Sequence, residues 1–282
     1  MKKLFFTTIY LFLFIFNFSF SSNDIPTEAT IATFNTLRLG KNKKNYNYLA
    51  KAIQPFDLIG LTEVMDKRGL YELLKVLDKI SNEKWGYHIS PYPVGTDTYK
   101  EYYAFIYKKD KVKFLSDSGF YPDYNNNFIR EPYGANFKIG NFDFTYVLIH
   151  SIYGKKISQR QFEASKLNDV YEHFQNLDLK ENDILIGGDF NLPANDIGFS
   201  KFLKNTDKII YTIDPNIKTT LGTKGFANSY DNIFISKIYT NEFKGNSGAL
   251  DITINGNFNY LRKEVSDHIP VFIFVNTDKD DD

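Results

Sequence analysis

The sequence predicts an α/β fold: two packed mixed β-sheets flanked by helices, a four-layer sandwich. Three observations carry this. Short apolar strand-like runs alternate with helix-period segments, some of those runs are also joined as tight hairpins, and 43% of the 282 residues are hydrophobic with 17% aromatic, enough for a large core. Alternation alone would suit a doubly wound parallel sheet, but hairpins demand antiparallel pairs as well. The length is near the limit for a single core, so one domain over residues 23–275 is expected, with an acidic, solvated tail at 276–282.

The N-terminus, MKKLFFTTIYLFLFIFNFSFSSND, has two lysines, an apolar run from Leu4 to Phe20, and Ser21 and Ser22 before Asp24. This is the three-part pattern of a secretory signal peptide over residues 1–22, and it predicts an extracellular protein. An uncleaved anchor is the competing reading, at the lower length limit for a span. ATIATFNTL (29–37) reads as a strand, YNYLAKAIQPF (46–56) as a helix stopped by Pro55, and DLIGLTEV (57–64) as a buried strand. GLYELLKVLDKIS (69–81) places apolar residues at 70, 73, 74 and 77, one face of a helix. Residues 102–121 and 137–150 read as hairpins, the second turning at Gly140-Asn141, and SQRQFEASKLNDVYEHFQNL (158–177) as the longest helix. DILIGGDF (183–190), SYDNIFIS (229–236) and IPVFIFV (269–275) complete the strands.

Charge and cysteine content bound the chemistry. With 34 basic and 34 acidic residues the formal net charge is zero, so a polyanionic partner would meet a local patch and not a global field. No cysteine is present, which excludes disulfides. Lacking cysteine and any closely spaced histidine pair, the sequence disfavours zinc; it also has no Gly-rich phosphate loop and no Gly-x-Ser-x-Gly elbow.

The informative pattern lies at the strand ends. Asn35 follows TIATF, Glu63 follows LIGLT, His150 follows TYVLI, Asp189 and Asn191 follow ILIGG, and Asp267 and His268 precede IPVFIFV. A single polar residue at a strand end is usually a turn residue; five segments ending in a carboxylate, amide or imidazole exceed what turn chemistry supplies. If the ends converge, Glu63 and Asp267 are candidates for a hard divalent cation held by oxygen. Together with two imidazoles and two amides they suit metal-assisted hydrolysis of a phosphate ester. His88, in a loop-like context, and His173, in a helix, read as structural or surface residues.

In order along the chain, TFNTLR, LTEV, IHS, GGDFN, YDNIF and SDHIPV resemble the endonuclease/exonuclease/phosphatase superfamily over nearly the whole chain after residue 22. TYKEYY (98–103) and FIREPY (128–133) further resemble segments of its secreted deoxyribonuclease I branch. The resemblance implies Mg²⁺ or Mn²⁺ on Glu63 and Asp267, with Asn35 hydrogen-bonding nearby. It implies that Asp189 positions or deprotonates the attacking water and that Asn191 donates to phosphate. It also implies two imidazole–carboxylate pairs, His150 with Glu101 and His268 with Asp231, one imidazolium stabilising the pentavalent phosphorus or protonating the leaving 3′-oxygen. Tyr99 and Arg130 would contact the phosphate backbone. The implied partner is DNA, cut with little sequence specificity by a monomer without a stable protein partner.

Several features depart from that branch. Met65 stands where it has a minor-groove Arg, with Lys67 and Arg68 just beyond; its disulfides are missing; and its calcium loops are matched only by Glu131 and loosely by DPNIKTTLGT (214–223), so Ca²⁺ is an open possibility. A polar residue expected before the Tyr-Asp motif has two candidates, Thr223 and Asn228. Lys41, Lys43, Lys44, Lys67, Arg68, Arg130, Lys155 and Lys156 lie on segments expected to surround the site and are candidate phosphate contacts. A second reading keeps the site but acts on phospholipid head groups, as sphingomyelinases do, or on small phosphate esters, with YPDYNNNF (121–128) as an aromatic hairpin for membrane contact. A third is a non-enzymatic binding protein, against which the full set of catalytic-type residues counts.

Overall fold

The structure, a computed structural model, describes residues 27–178, 180–253 and 256–280, so the leader reading at 1–22 lies outside the described residues. Among the described residues, thirteen strands form two sheets. The first contains β1 (Glu28–Leu39), β2 (Leu58–Val64), β3 (Trp85–Ile89), β4 (Val94–Thr96), β5 (Tyr99–Lys108), β12 (Phe243–Ala249) and β13 (Val271–Asn276), in the order β12-β13-β1-β2-β5-β3 with β4 beside β5. The second contains β6 (Val112–Phe120), β7 (Tyr133–Ile139), β8 (Phe142–His150), β9 (Ile184–Asp189), β10 (Ile209–Tyr211) and β11 (Asp231–Ser236), in the order β10-β11-β9-β8-β7-β6. Both sheets are mixed, because β1 runs parallel to β2 and β8 parallel to β9 while the other pairs are antiparallel.

The central strands are apolar on both faces because both faces are covered. Ile31, Leu58, Tyr103 and Phe105 of one sheet pack on Phe137, Phe144, Tyr146 and Leu148 of the other. Outside the first sheet, Phe34 and Leu61 meet α1 (Tyr46–Ile53), α2 (Lys67–Ile80) and α6 (Phe258–Glu264) through Leu49, Leu73, Leu77 and Leu261. Outside the second, Val147, Ile186 and Phe234 meet α3 (Ile157–Ala164), α4 (Leu167–Gln175) and α5 (Ser200–Leu203) through Ala164, Leu167, Phe174 and Phe202. The predicted four layers are therefore present. The stripe read at 70, 73, 74 and 77 is the buried face of α2, whose N-cap Asp66 accepts a hydrogen bond from Arg68 N.

Three expectations fail. Residues 102–121 are not a hairpin: β5 is paired on both edges, by β2 and by β3 and β4, so β6 has no edge to join and crosses to the other sheet beside β7. The helix read at 158–177 is broken at Ser165–Lys166, where the Ser165 hydroxyl takes the Phe162 carbonyl at 2.6 Å and Lys166 N closes on Glu163 O. The stretch 121–128 contains no strand, although Tyr124 is fully solvent-facing. His88 belongs to β3, where Nε2 lies 2.7 Å from Tyr133 Oη and the ring stacks on Phe114, a structural role. The tail is tied down as far as Asp280, since Thr277 N donates to Thr27 O and Asp143 N to Asp280 Oδ2.

Candidate active site

Strand direction gathers the polar ends. The parallel pairs β1/β2 and β8/β9 bring Asn35 beside Thr62 and His150 beside Asp189. β11 is antiparallel to β9, so Asp231 sits opposite Asp189, and β5 and β13 likewise begin at the edge where β2 and β1 end. Asn35, Glu63, Glu101, His150, Asp189, Asn191, Asp231, Asp267 and His268 thus meet at one end of the sandwich. A cavity of about 390 Å³ opens there, lined by Glu63, His150, Asp189, Asn191, Asp267 and His268 among others.

Asp189 is the hub. Its Oδ2 accepts from Asn35 Nδ2 at 3.1 Å and lies 3.6 Å from His150 Nε2 and 3.4 Å from His268 Nε2, while Oδ1 accepts from Asn191 N at 2.9 Å. Each imidazole is held from behind: His150 Nδ1 is 2.9 Å from Glu101 Oε1, and His268 Nδ1 is 2.8 Å from Asp231 Oδ2. A carboxylate only accepts, so each Nδ1 carries the hydrogen and each Nε2 is presented to the cavity. Glu63 is fixed by three donors, Asn35 Nδ2 at 3.1 Å, Arg38 N at 3.0 Å and Tyr99 Oη at 2.6 Å.

Residues 32–268 match the endonuclease/exonuclease/phosphatase family. The chain belongs to that family. It is accordingly a hydrolytic enzyme of the phosphodiesterase or nuclease type. It is 28% identical over 258 residues to a deoxyribonuclease of Thioalkalivibrio sp. (strain K90mix), spanning 86% of this chain and 70% of that protein. It is 26% identical over 265 residues to Bos taurus deoxyribonuclease-1, spanning 86% of this chain and 90% of that one. Among solved structures, a Bacteroides thetaiotaomicron mannosyl-6-phosphatase superposes with TM-score 0.59 at 18% identity, over 88% of this chain and 99% of that one. The human Nocturnin catalytic domain superposes with TM-score 0.59 at 15% identity, over 90% and 97% of the two chains. These two share the fold.

The family motif GGDFN owes its glycines to close packing. Gly188 lies at φ 152°, and a Cβ there would come within 1.8 Å of Ile149 O; at Gly187 it would come within 2.7 Å of Tyr146 Oη. Glu63 and Asn191 themselves adopt positive φ, 58° and 52°, a strained backbone that aims both side chains at the cleft.

Burial by itself would push both imidazoles down. For His150 the Arg130 guanidinium adds to that, yet Glu101 and Asp189 outweigh both and raise it above the ordinary histidine value. For His268, Asp231 and Asp189 overcome burial and raise it well above. Burial pushes the Glu63 carboxyl up, but His150, Tyr99 and Asn35 hold it below the usual range. Burial raises Asp231.

Asn35, expected to hydrogen-bond near the metal, and Arg130, expected at the phosphate backbone, are both buried and do not line the cavity. Asn35 is buried, its amide shared between Glu63 and Asp189. Arg130 donates to His150 O at 2.9 Å and Ser151 O at 3.0 Å, bracing the end of β8 that carries His150. Tyr99 hydrogen-bonds Glu63, and Asn191 Nδ2 already donates to Ser151 O at 2.9 Å, leaving one N–H for a ligand. Of the basic residues read as phosphate contacts, Lys44 is buried with Nζ on Val265 O at 2.7 Å, and that burial lowers its pKa to about 8. Arg68 is paired with Asp66, whereas Lys155 and Lys156 are exposed.

Before the Tyr-Asp motif, the side chain that touches Asp231 is Thr219, whose Oγ1 donates to Asp231 Oδ2 at 2.7 Å and accepts from Tyr230 N and Asp231 N, while Asn228 lines the cavity. Ser266 was likewise not singled out by sequence: its hydroxyl donates to Asn35 O and accepts from His268 N. Asp189, Asp231 and His268 offer ligand atoms within 4.8 Å of one another, and with its Nδ1 hydrogen held by Asp231, His268 would meet a cation there through Nε2. Glu63 and Asp267 also line the cavity with carboxylate oxygens, the ligand type a hard cation takes, and Glu63 Oε1 accepts one hydrogen bond, from Asn35 Nδ2.

Proposed function

We propose that this enzyme is a secreted, divalent-metal-dependent endonuclease that hydrolyses DNA phosphodiester bonds with little sequence preference. The observation that carries it is the pair of braced imidazoles whose Nε2 atoms face one oxygen of Asp189, at 3.6 and 3.4 Å. The deoxyribonuclease relatives support the choice of DNA, and the leader-like N-terminus supports export.

Asp189 orients the attacking water and takes its proton; its Oδ2 accepts from Asn35 and faces the two imidazole Nε2 atoms at 3.6 and 3.4 Å. His150 and His268, raised toward the imidazolium form, offset the charge growing on the phosphoryl oxygens, and one of them returns a proton to the leaving 3′-oxygen. The second amide hydrogen of Asn191 donates to a non-bridging oxygen. Glu101, Asp231 and Thr219 hold the tautomers. Glu63 and Asp267 would hold Mg²⁺ or Mn²⁺, which supplies Lewis-acid polarisation of the phosphate.

Parallel hydrolysis assays on plasmid DNA, sphingomyelin and an inositol phosphate in Mg²⁺ test the substrate. Preference for DNA, with rates falling steeply as salt rises, is expected. Faster release of a lipid head group or of inorganic phosphate would transfer the site to the alternative substrate.

A further inference from the structure

An exposed aromatic ring stands on the rim of the cavity. Tyr153 lies three residues past His150 and is 61% exposed, yet the Arg160 guanidinium covers one side of its ring at 3.9 Å from the centroid. Arg160 is itself fixed: Nε donates to Tyr153 O at 2.5 Å, and Nη1 to Asn191 O and Tyr230 Oη, both at 3.3 Å. Hydrogen bonds tie the loop between them down. Gln159 Oε1 accepts from Lys155 N at 2.9 Å and Lys156 N at 3.2 Å, and Gly154 turns at φ 60° where a Cβ would meet Gln159 Oε1 at 2.8 Å. Tyr153, Asn191 and Tyr230 all line the catalytic cavity.

A core aromatic hides both faces. Tyr153 hides one, against a cation that fixes its plane, and leaves the other beside the reacting centre. An aromatic face held rigidly next to a phosphate-cleaving site matches a nucleobase, which binds by stacking and brings its own phosphate with it. Lys155 and Lys156, exposed on the same loop, supply charge for the adjoining backbone. Every base has a π face, so such a contact is tolerant of sequence. In an intact duplex those faces are already covered by neighbouring base pairs.

We propose that Tyr153, braced by Arg160, is a base-stacking platform for a nucleotide flanking the scissile phosphate, and that it favours strands whose bases are unpaired. This rests on the nuclease reading and adds a specificity-determining residue to it. The test compares steady-state cleavage of a single-stranded oligonucleotide with hydrolysis of bis(p-nitrophenyl) phosphate, which has no base, by wild type, Tyr153→Ala and Tyr153→Phe. Tyr153→Ala should raise KM for the oligonucleotide roughly tenfold or more beyond any change on the small diester, and Tyr153→Phe, which keeps the π face, should restore it. An oligonucleotide with abasic positions flanking the cleaved bond should reproduce the loss in wild type and add little to Tyr153→Ala. Equal losses on both substrates, or an unchanged KM, would overturn the platform while leaving the nuclease reading intact. A wild type that hydrolyses the small diester but no oligonucleotide or plasmid would overturn the nuclease reading itself, and the platform with it.

Discussion

The Nδ1 of His150, at the end of β8 in one sheet, lies 2.9 Å from Oε1 of Glu101, on β5 in the other. His268 and Asp231 make the mirror contact at 2.8 Å, His268 leading into β13 of the first sheet and Asp231 opening β11 of the second. Both imidazoles are therefore aimed by a bond that crosses the sandwich, and the packing of the two sheets sets the geometry of the cleft.

Replacing Glu101 by Gln keeps the shape but removes the charge that raises His150. The imidazolium should then be lost at lower pH, moving the alkaline limb of the pH–rate profile down, with kcat reduced roughly 10- to 100-fold. A pH–rate series on the variant and wild type checks this; an unshifted limb would detach His150 from the protonation that controls the rate.

Thr219→Val leaves the Tyr230 and Asp231 amides without their acceptor and frees Asp231 on one side. A stability loss of about 1–3 kcal/mol by urea denaturation is expected, with slower turnover. Thr219→Ser should recover most of both.

Gly188→Ala tests the close approach behind GGDFN. With a Cβ only 1.8 Å from a backbone oxygen and φ at 152°, the site cannot relax by a rotamer change. A loss of about 3–5 kcal/mol follows, or failure to fold, read by thermal denaturation.

Asp183, away from the cleft at the start of β9, is fully buried beside Thr240, and burial raises its carboxyl from 3.8 to about 9. The folded chain retains a proton there that the unfolded chain releases above about 4, so this contribution is complete below the unfolded value and is lost as pH rises through about 9. Asp183→Asn, neutral at every pH, should gain Tm over wild type as pH rises across that window, by roughly 2–8 °C near neutrality. A constant difference across pH would contradict the buried neutral carboxyl.

Much of the site was legible because its residues break an otherwise apolar run. Glu63 after LIGLT and Asp189 after ILIGG stand out where both faces of a strand are buried, and the parallel pairing of β1 with β2 and β8 with β9 brings such ends to one edge. Thr219 was not singled out by sequence: it lies in an irregular stretch whose spacing to the Tyr-Asp motif is unlike the family's, and only the folded loop brings its hydroxyl to Asp231. Arg130 and Lys44 read as surface cations because residue type does not reveal that a backbone carbonyl waits beneath. The hairpin expected from β5 into β6 failed for a topological reason, since local pattern cannot tell that both edges of β5 are already paired.

We propose that metal-dependent phosphodiester cleavage is driven by the imidazoles over Asp189. Nicking of supercoiled plasmid by wild type and His150→Ala, each in Mg²⁺ and in EDTA, tests it most directly. Nicking by wild type in Mg²⁺ alone, with His150→Ala folded but slower by roughly 10²- to 10⁴-fold, is the predicted result. Equal nicking by folded His150→Ala, or cleavage undiminished in EDTA, would contradict it.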